Sequence, residues 1–195
     1  MEATAERLLA IVRRLRDDVV EMSAKGLRLA ATMPGNDDTA KIYFDLQFFF
    51  LFLICADGSG SQSEIDLYNL TFGTRLAPER LANEIATRAD QIAAYGESPS
   101  QLMRAGFMVD AVHKNTHYGD RVIACFEEFG EIVASVDGGG VSARQRLADF
   151  LALARVWQKR AEASLPSDPE PISPAPKAPA SSGRPAFGRK GLPKN

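Results

Sequence analysis

Residues 42–56, IYFDLQFFFLFLICA, constrain the fold of this chain more than any other segment. Apart from Asp45 and Gln47 the run is apolar, and Phe48, Phe49, Phe50 and Phe52 fall on all sides of a helix. A helix that is apolar all round is either a membrane span or the centre of a protein. A span needs about 20 apolar residues, more than this run offers. The segment therefore reads as a central helix that other elements must enclose, and its aromatic run as core packing and not as a cofactor box.

The enclosing elements also read as helices. Helix 1 is expected over residues 3–32, where Leu8, Val12, Leu15, Val19, Met22 and Gly26 form a seam of period 3.5. Arg13–Asp17 and Glu21–Lys25 are opposite charges at i,i+4 along it. Pro34-Gly35-Asn36 stops it, and helix 2 follows from Asp37 or Asp38, acids that suit a helix start, to about Ala56. Helix 3 covers 62–73 and closes on Gly73. Helix 4 opens at Pro78 with Leu81, Ile85, Ala89 and Ile92 on one face and ends at Gly96. Helix 5 opens with Ser98-Pro99. Helix 6 spans 119–136 with Val122, Phe126, Phe129 and Val133 inward, and helix 7 spans 142–164 with Leu147, Phe150, Leu151 and Ala154 inward. No stretch alternates with period two for long enough to make a strand. The expected fold is all-α, a compact bundle of about seven helices.

Composition changes near Leu165. Residues 166–195 hold eight of the eleven prolines and carry a net charge of +3. A segment this rich in proline cannot bury a core, so a disordered tail is expected after a helical domain of residues 1–165. With the tail's +3 removed from the total of −2, the domain carries −5. That balance opposes a nucleic-acid partner. The Arg13-Arg14-Arg16 cluster reads as a solvated face, with pairing to anionic lipid at a membrane surface or to nucleic acid as the minority alternative. The start, MEATAERLLAIVRRLRDD, is charged throughout and unlike a secretory signal. Cys55 and Cys125, 70 residues apart in apolar runs, read as reduced, buried side chains. A cytoplasmic protein without a transmembrane segment is the expectation.

Two segments share a helix–corner–helix grammar. Residues 51–70 place Asp57-Gly58 before Ser61 and Glu64, and residues 131–154 place Asp137-Gly138 before Ser142 and Gln145. Each pair has the spacing of a capping box, and the recurrence suggests two pseudo-repeated helix pairs. The first corner, A-D-G-x-x-S-x-x-E on Ala56, Asp57, Gly58, Ser61 and Glu64, resembles the TerB-like domain named for tellurite-resistance proteins. Asp137, Gly138, Ser142 and Gln145 are similar to a weaker second copy, and the resemblance covers roughly residues 37–160. It implies an all-helical fold, a stress or envelope-defence setting and divalent-cation binding through acidic corners. Gln145, flanked by Arg144 and Arg146, departs from the pattern, so the first corner alone keeps that chemistry.

Asp57 and Glu64 are the candidate metal ligands, for Ca²⁺ or Mg²⁺ with water filling the shell. The structural alternative gives Glu64 to the capping box. An EF-hand is excluded, because its glycine position holds Gln62 and its bidentate glutamate position holds Tyr68. Asp137 is a weaker candidate. So are His113 and His117, which with Asp110 and Asp120 could serve metal-dependent hydrolysis, although Asn115, Thr116 and Gly119 suggest that a helix ends between the histidines. Asp45 is a further candidate, since a carboxylate in so apolar a helix must find a partner or a cation. No phosphate loop or nucleophile–base arrangement is present in the sequence.

Three functions follow as expectations. The first is a non-enzymatic binding or scaffold module, cation-responsive, that meets a protein partner through the proline-rich tail or helix 1. The second is a metal-dependent hydrolase or enzyme accessory subunit using residues 110–120. The third is a homo-oligomeric structural protein assembled through helix 1.

Overall fold

The computed structural model describes residues 1–26, 38–55, 60–113, 115–136 and 141–164. Asp57, Gly58, Asp137, Gly138 and the tail lie outside the described residues. The elements are α1 (Glu2–Ala24), α2 (Asp38–Ile54), α3 (Gln62–Phe72), α4 (Pro78–Thr87), α5 (Ala89–Ala93), a 3-10 turn (Ala94–Gly96), α6 (Gln101–Val112), α7 (Tyr118–Ala134) and α8 (Val141–Ala163). The fold is an all-α bundle, with no strand among the described residues.

The apolar run is the central helix. Every residue from Phe48 to Ile54 is buried, and α2 touches α1, α3, α5, α6, α7 and α8. The Phe49 ring lies 4.9 Å from Phe126 of α7 and 4.7 Å from Phe150 of α8, while Phe50 meets Tyr68 of α3 edge-on at 5.4 Å. Aromatic pairs at such distances add about 0.5–1.5 kcal/mol each beyond area burial. Among the described residues no helix is long and apolar enough to cross a membrane.

The seam of α1 is spent inside the molecule. Leu8, Val12, Leu15, Val19 and Met22 are buried, and α1 packs along α7, α3 and α2. The side chains that suggested assembly through helix 1 thus face this chain's own helices. The helix also closes at Ala24, not at residue 32. Gly26 follows with φ +90°, a conformation that glycine adopts without penalty and that ends helical pairing. Its charges reach across the bundle: Glu21 accepts from Arg121 of α7 at 2.9 Å, and Arg14 pairs with Glu128.

Helix 3 ends as expected, on Gly73 in the left-handed conformation (φ +63°). Helix 4 is divided. Arg88, with φ −114°, interrupts it, and Ala89, expected on the inward face, is exposed. Helix 5 begins two residues later than the Ser98-Pro99 pair suggests. Ser100 is its cap, accepting from Met103 N–H at 3.2 Å, while a carboxylate from α2 takes the preceding amide, that of Leu102. The final two helices match their expected spans within two residues.

Of the two corners, the capping box forms in one. Ser61 accepts from Glu64 N–H at 3.2 Å and Glu64 accepts from Ser61 N–H at 2.7 Å, a full capping box. The second box does not form. α8 starts at Val141, which puts Ser142 inside the helix, and the Gln145 amide donates forward to Asp149 at 2.9 Å. A local i,i+4 partner has displaced the reach back to the cap.

α6 and α7 approach closely through glycine. A Cβ on Gly106 would sit 2.9 Å from Gly119 N, and one on Gly119 would sit 2.7 Å from Phe107 Cδ1. This contact brings the end of α6 and the start of α7 together and positions the histidine turn described next.

Candidate functional site

Of the metal candidates at the first corner, only Glu64 is described, and its carboxylate is engaged in the capping box. The 110–120 segment is a helix turn whose acids serve structure. Asp110 accepts from Tyr118 N–H at 2.9 Å and Gly119 N–H at 2.7 Å, which caps α7 from the end of α6. Asp120 pairs with Arg155 and accepts from Gln158 at 3.1 Å, so it is held below the usual carboxylate range chiefly by the Gln158 hydrogen bond. His113 ends α6 with Nε2 3.1 Å from the Lys25 carbonyl oxygen. His117 is exposed before α7, with Nδ1 3.9 Å from Asp120. The helix does end between the two histidines, and they face different neighbours. Among the described residues no group of three or more His, Cys, Asp or Glu side chains is placed to hold a metal ion.

Asp45 is the sequence candidate that the fold develops furthest. Only 5% of it is exposed, and it sits at the floor of a cavity of about 220 Å³ between α2, the α5 region and the start of α6. Helical spacing builds one wall: Lys41, Phe44, Asp45 and Phe48 share a face of α2. Gln91, Ala94 and Tyr95 form the second wall by the same spacing. The segment from Ser98 to Gln101, with Arg104 one turn on, closes the third.

The carboxylate of Asp45 is held by neutral donors. One oxygen accepts from the Tyr95 hydroxyl and the other from Leu102 N–H at 3.1 Å, in the first turn of α6. The nearby Ser100 hydroxyl and the positive charge of Arg104 also favour the ionised form. Burial nevertheless dominates and raises the Asp45 carboxyl above its ordinary value, against the lowering effect of those donors. The Tyr95 hydroxyl is pushed well up, first by burial and then by the Asp45 charge. Asp45 forms no salt bridge among the described residues.

The mouth has the opposite character. Phe44 is 44% exposed, its ring 4.7 Å from that of Phe48. Lys41 pairs with Asp38 at 3.2 Å. Arg104 is exposed, with Nε donating to the Pro99 carbonyl at 3.0 Å and Nη2 reaching Ser98 Oγ at 3.4 Å. Those two bonds orient the guanidinium and commit two of its five N–H groups. The cavity therefore joins a buried acid, an aromatic wall and a cationic rim.

A second cavity of about 460 Å³ lies beside Phe52, Cys55, Ile92, Arg146 and Phe150. Its cation is engaged: Arg146 donates to the Phe52 carbonyl at 2.8 Å and lies 5.4 Å from the Phe52 ring centre. Arg146 thereby satisfies the end of α2.

Sequence reasoning singled out Asp45 but missed Tyr95, Ser100 and Arg104. Ser100 carried a usable signal, since it stands just before an apolar-periodic run as a cap does. Tyr95 and Leu102 lie 50 and 57 residues from Asp45, beyond any local pattern. Comparison with known protein families, curated proteins and solved structures finds no match for this chain.

Proposed function

We propose that this protein is a non-enzymatic helical binding module of the cytoplasm that takes a small ligand into the cavity around Asp45. One observation carries the reading: a buried carboxylate lines an open cavity and is held by uncharged donors, with a cation at the rim. Burying a charge without an ion partner is costly, so such a site gains stability when a ligand completes it. Donors on both oxygens of Asp45 fix the group as an anchor. At about 220 Å³ the cavity is smaller than the roughly 300–1,000 Å³ of pockets for drug-sized ligands, which suits a small metabolite. A scaffold role, with a protein partner meeting another surface, is compatible with this reading.

The test is thermal unfolding with a fractionated small-metabolite extract, on the wild type and on Ala94→Trp. Ala94 is exposed and lines the cavity, so the indole fills the space without replacing a core side chain. At least one fraction is expected to raise the wild-type Tm by several degrees, and the variant is expected to lose that shift while keeping its own Tm. A shift retained in Ala94→Trp places binding elsewhere and overturns the assignment. Absence of any shift overturns the binding function itself.

A further inference from the structure

We propose that the ligand is a small zwitterion with an apolar body, of the free α-amino acid class, its ammonium on Asp45, its carboxylate on Arg104 and its side chain against Phe44 and Phe48. This rests on the reading of the cavity as a binding site.

Of the three charged side chains that line the cavity, Lys41 is paired with Asp38, while Asp45 and Arg104 stand at different depths and have opposite signs. Asp45 is buried at the floor and Arg104 is exposed at the rim. Each carboxylate oxygen of Asp45 accepts one hydrogen bond from the described residues, and an ionised carboxylate offers about four lone-pair positions. An incoming N–H therefore finds acceptors at the floor. Tyr95 O–H is already turned toward Asp45, so the floor presents acceptors, and a donor on the ligand is what it recognises. At the rim Arg104 keeps Nη1 uncommitted among the described residues, a fork suited to a carboxylate.

A ligand of a single charge fits only one of these. An amine drawn to Asp45 is repelled by Arg104 and by Lys41 beside it. An acid drawn to Arg104 enters the field of the buried Asp45. A zwitterion aligned along the cavity meets both, and such complementarity governs specificity more than total affinity. On the α2 wall that carries Asp45, Phe44 and Phe48 offer apolar rings, and of the two Phe44 alone has exposed surface left to cover.

Three probes on one skeleton separate these contributions: L-phenylalanine, phenethylamine, which lacks the carboxylate, and 3-phenylpropionate, which lacks the amine. Calorimetric titration of the full chain is expected to show L-phenylalanine binding at least about tenfold more tightly than either, the size of one good charge-assisted contact. Arg104→Gln, an exposed change that leaves the fold intact, is expected to bring L-phenylalanine down to the level of phenethylamine. Asp45→Asn is expected to bring it down to the level of 3-phenylpropionate. Phe44→Ala, also at the surface, is expected to weaken all three together, and it supports the site even if Asp45→Asn fails to fold. Equal binding of the three probes, or an L-phenylalanine affinity indifferent to Arg104→Gln, overturns the proposal. If no probe binds at millimolar concentration while the metabolite extract still shifts the wild type but not Ala94→Trp, the ligand class is wrong and the binding site stands. If neither binds, both are wrong.

Discussion

Two aspartates are buried to nearly the same degree in this bundle and are handled in opposite ways. Asp18 of α1 is 4% exposed and Asp45 of α2 is 5% exposed. In both, burial raises the carboxyl above its ordinary value. Asp18 meets a cation directly, since Arg121 of α7 pairs with it, binds Glu21 as well and lies 5.0 Å from the Tyr118 ring centre. Asp45 meets a phenol, a backbone amide and a hydroxyl, beside open space. The first is a closed ion pair that locks α1 to α7. The second is a charge stabilised only in part, and that incompleteness, more than burial alone, supports the proposed binding site.

If this contrast is right, removing a cation should hurt one aspartate and not the other. Arg121→Met leaves Asp18 buried and unpaired, and the expected loss is about 2–3 kcal/mol, below the 3–5 kcal/mol typical of fully buried pairs because Arg121 is half exposed. Urea unfolding measures it, and adding Asp18→Asn to the same chain should restore part of the loss. A loss under about 0.5 kcal/mol would show that water already solvates Asp18.

Removing a neutral donor should hurt Asp45 instead. Tyr95→Phe deletes the hydroxyl that the carboxylate accepts from and should cost about 1–2 kcal/mol at neutral pH. The same variant should also move the Asp45 carboxyl further up, which carboxyl-carbon NMR titration reads directly. An unmoved titration would mean that Leu102 N–H and Ser100 hold the charge without the phenol.

The pH dependence sharpens the comparison further. A carboxyl raised in the folded state is favoured in its protonated form, so its contribution is fully present below the unfolded value of 3.8 and is lost as pH rises through the folded value. Asp45→Asn should therefore remove a decline in stability on going upward from pH 3.8. Glu21 and Asp120 act with the opposite sign. Hydrogen bonds from Arg121 and Gln158 lower them, so their contribution is present above the unfolded value and is lost as pH falls. A wild-type curve that rises where the Asp45→Asn curve is flat would break the assignment.

The smallest expected effect is at the rim. Arg104→Gln should change stability by no more than about 0.5 kcal/mol, because an exposed cation at a distance from Asp45 contributes little to folding. Set against Arg121→Met, it asks the same question of each aspartate. A large loss here would mean that Arg104 is the counterion of Asp45 and that the cavity has no unmet charge.

Much of the bundle was legible because helices announce themselves over a few residues. The inward row of α7, the αL close at Gly73 and the Ser61–Glu64 box all depend on partners within one or two turns. The expectation failed where a distant group competed for a local partner. Ser98-Pro99 looked like a helix start, but α6 begins at Gln101, where Ser100 caps it and Asp45 takes the Leu102 amide. Gln145 had the spacing of a box, yet Asp149 offered it a better partner one turn on.

The same division runs through the candidate site. Sequence alone determined that the apolar run within 42–56 makes a central helix, α2 closing at Ile54, and that Asp45, set among phenylalanines, must find compensation. It could not determine what compensates it. The hydroxyl of Tyr95 and the amide of Leu102 reach Asp45, and Arg104 comes to the rim of the same cavity, only after α5 and α6 fold against α2. Periodicity and capping are properties of neighbours along the chain, whereas the partner of a buried charge is chosen by whichever groups packing brings within a few ångströms. Asp18 and Asp45 carry the same side chain in helices of the same molecule, and tertiary structure alone made one an ion pair and the other the floor of a cavity.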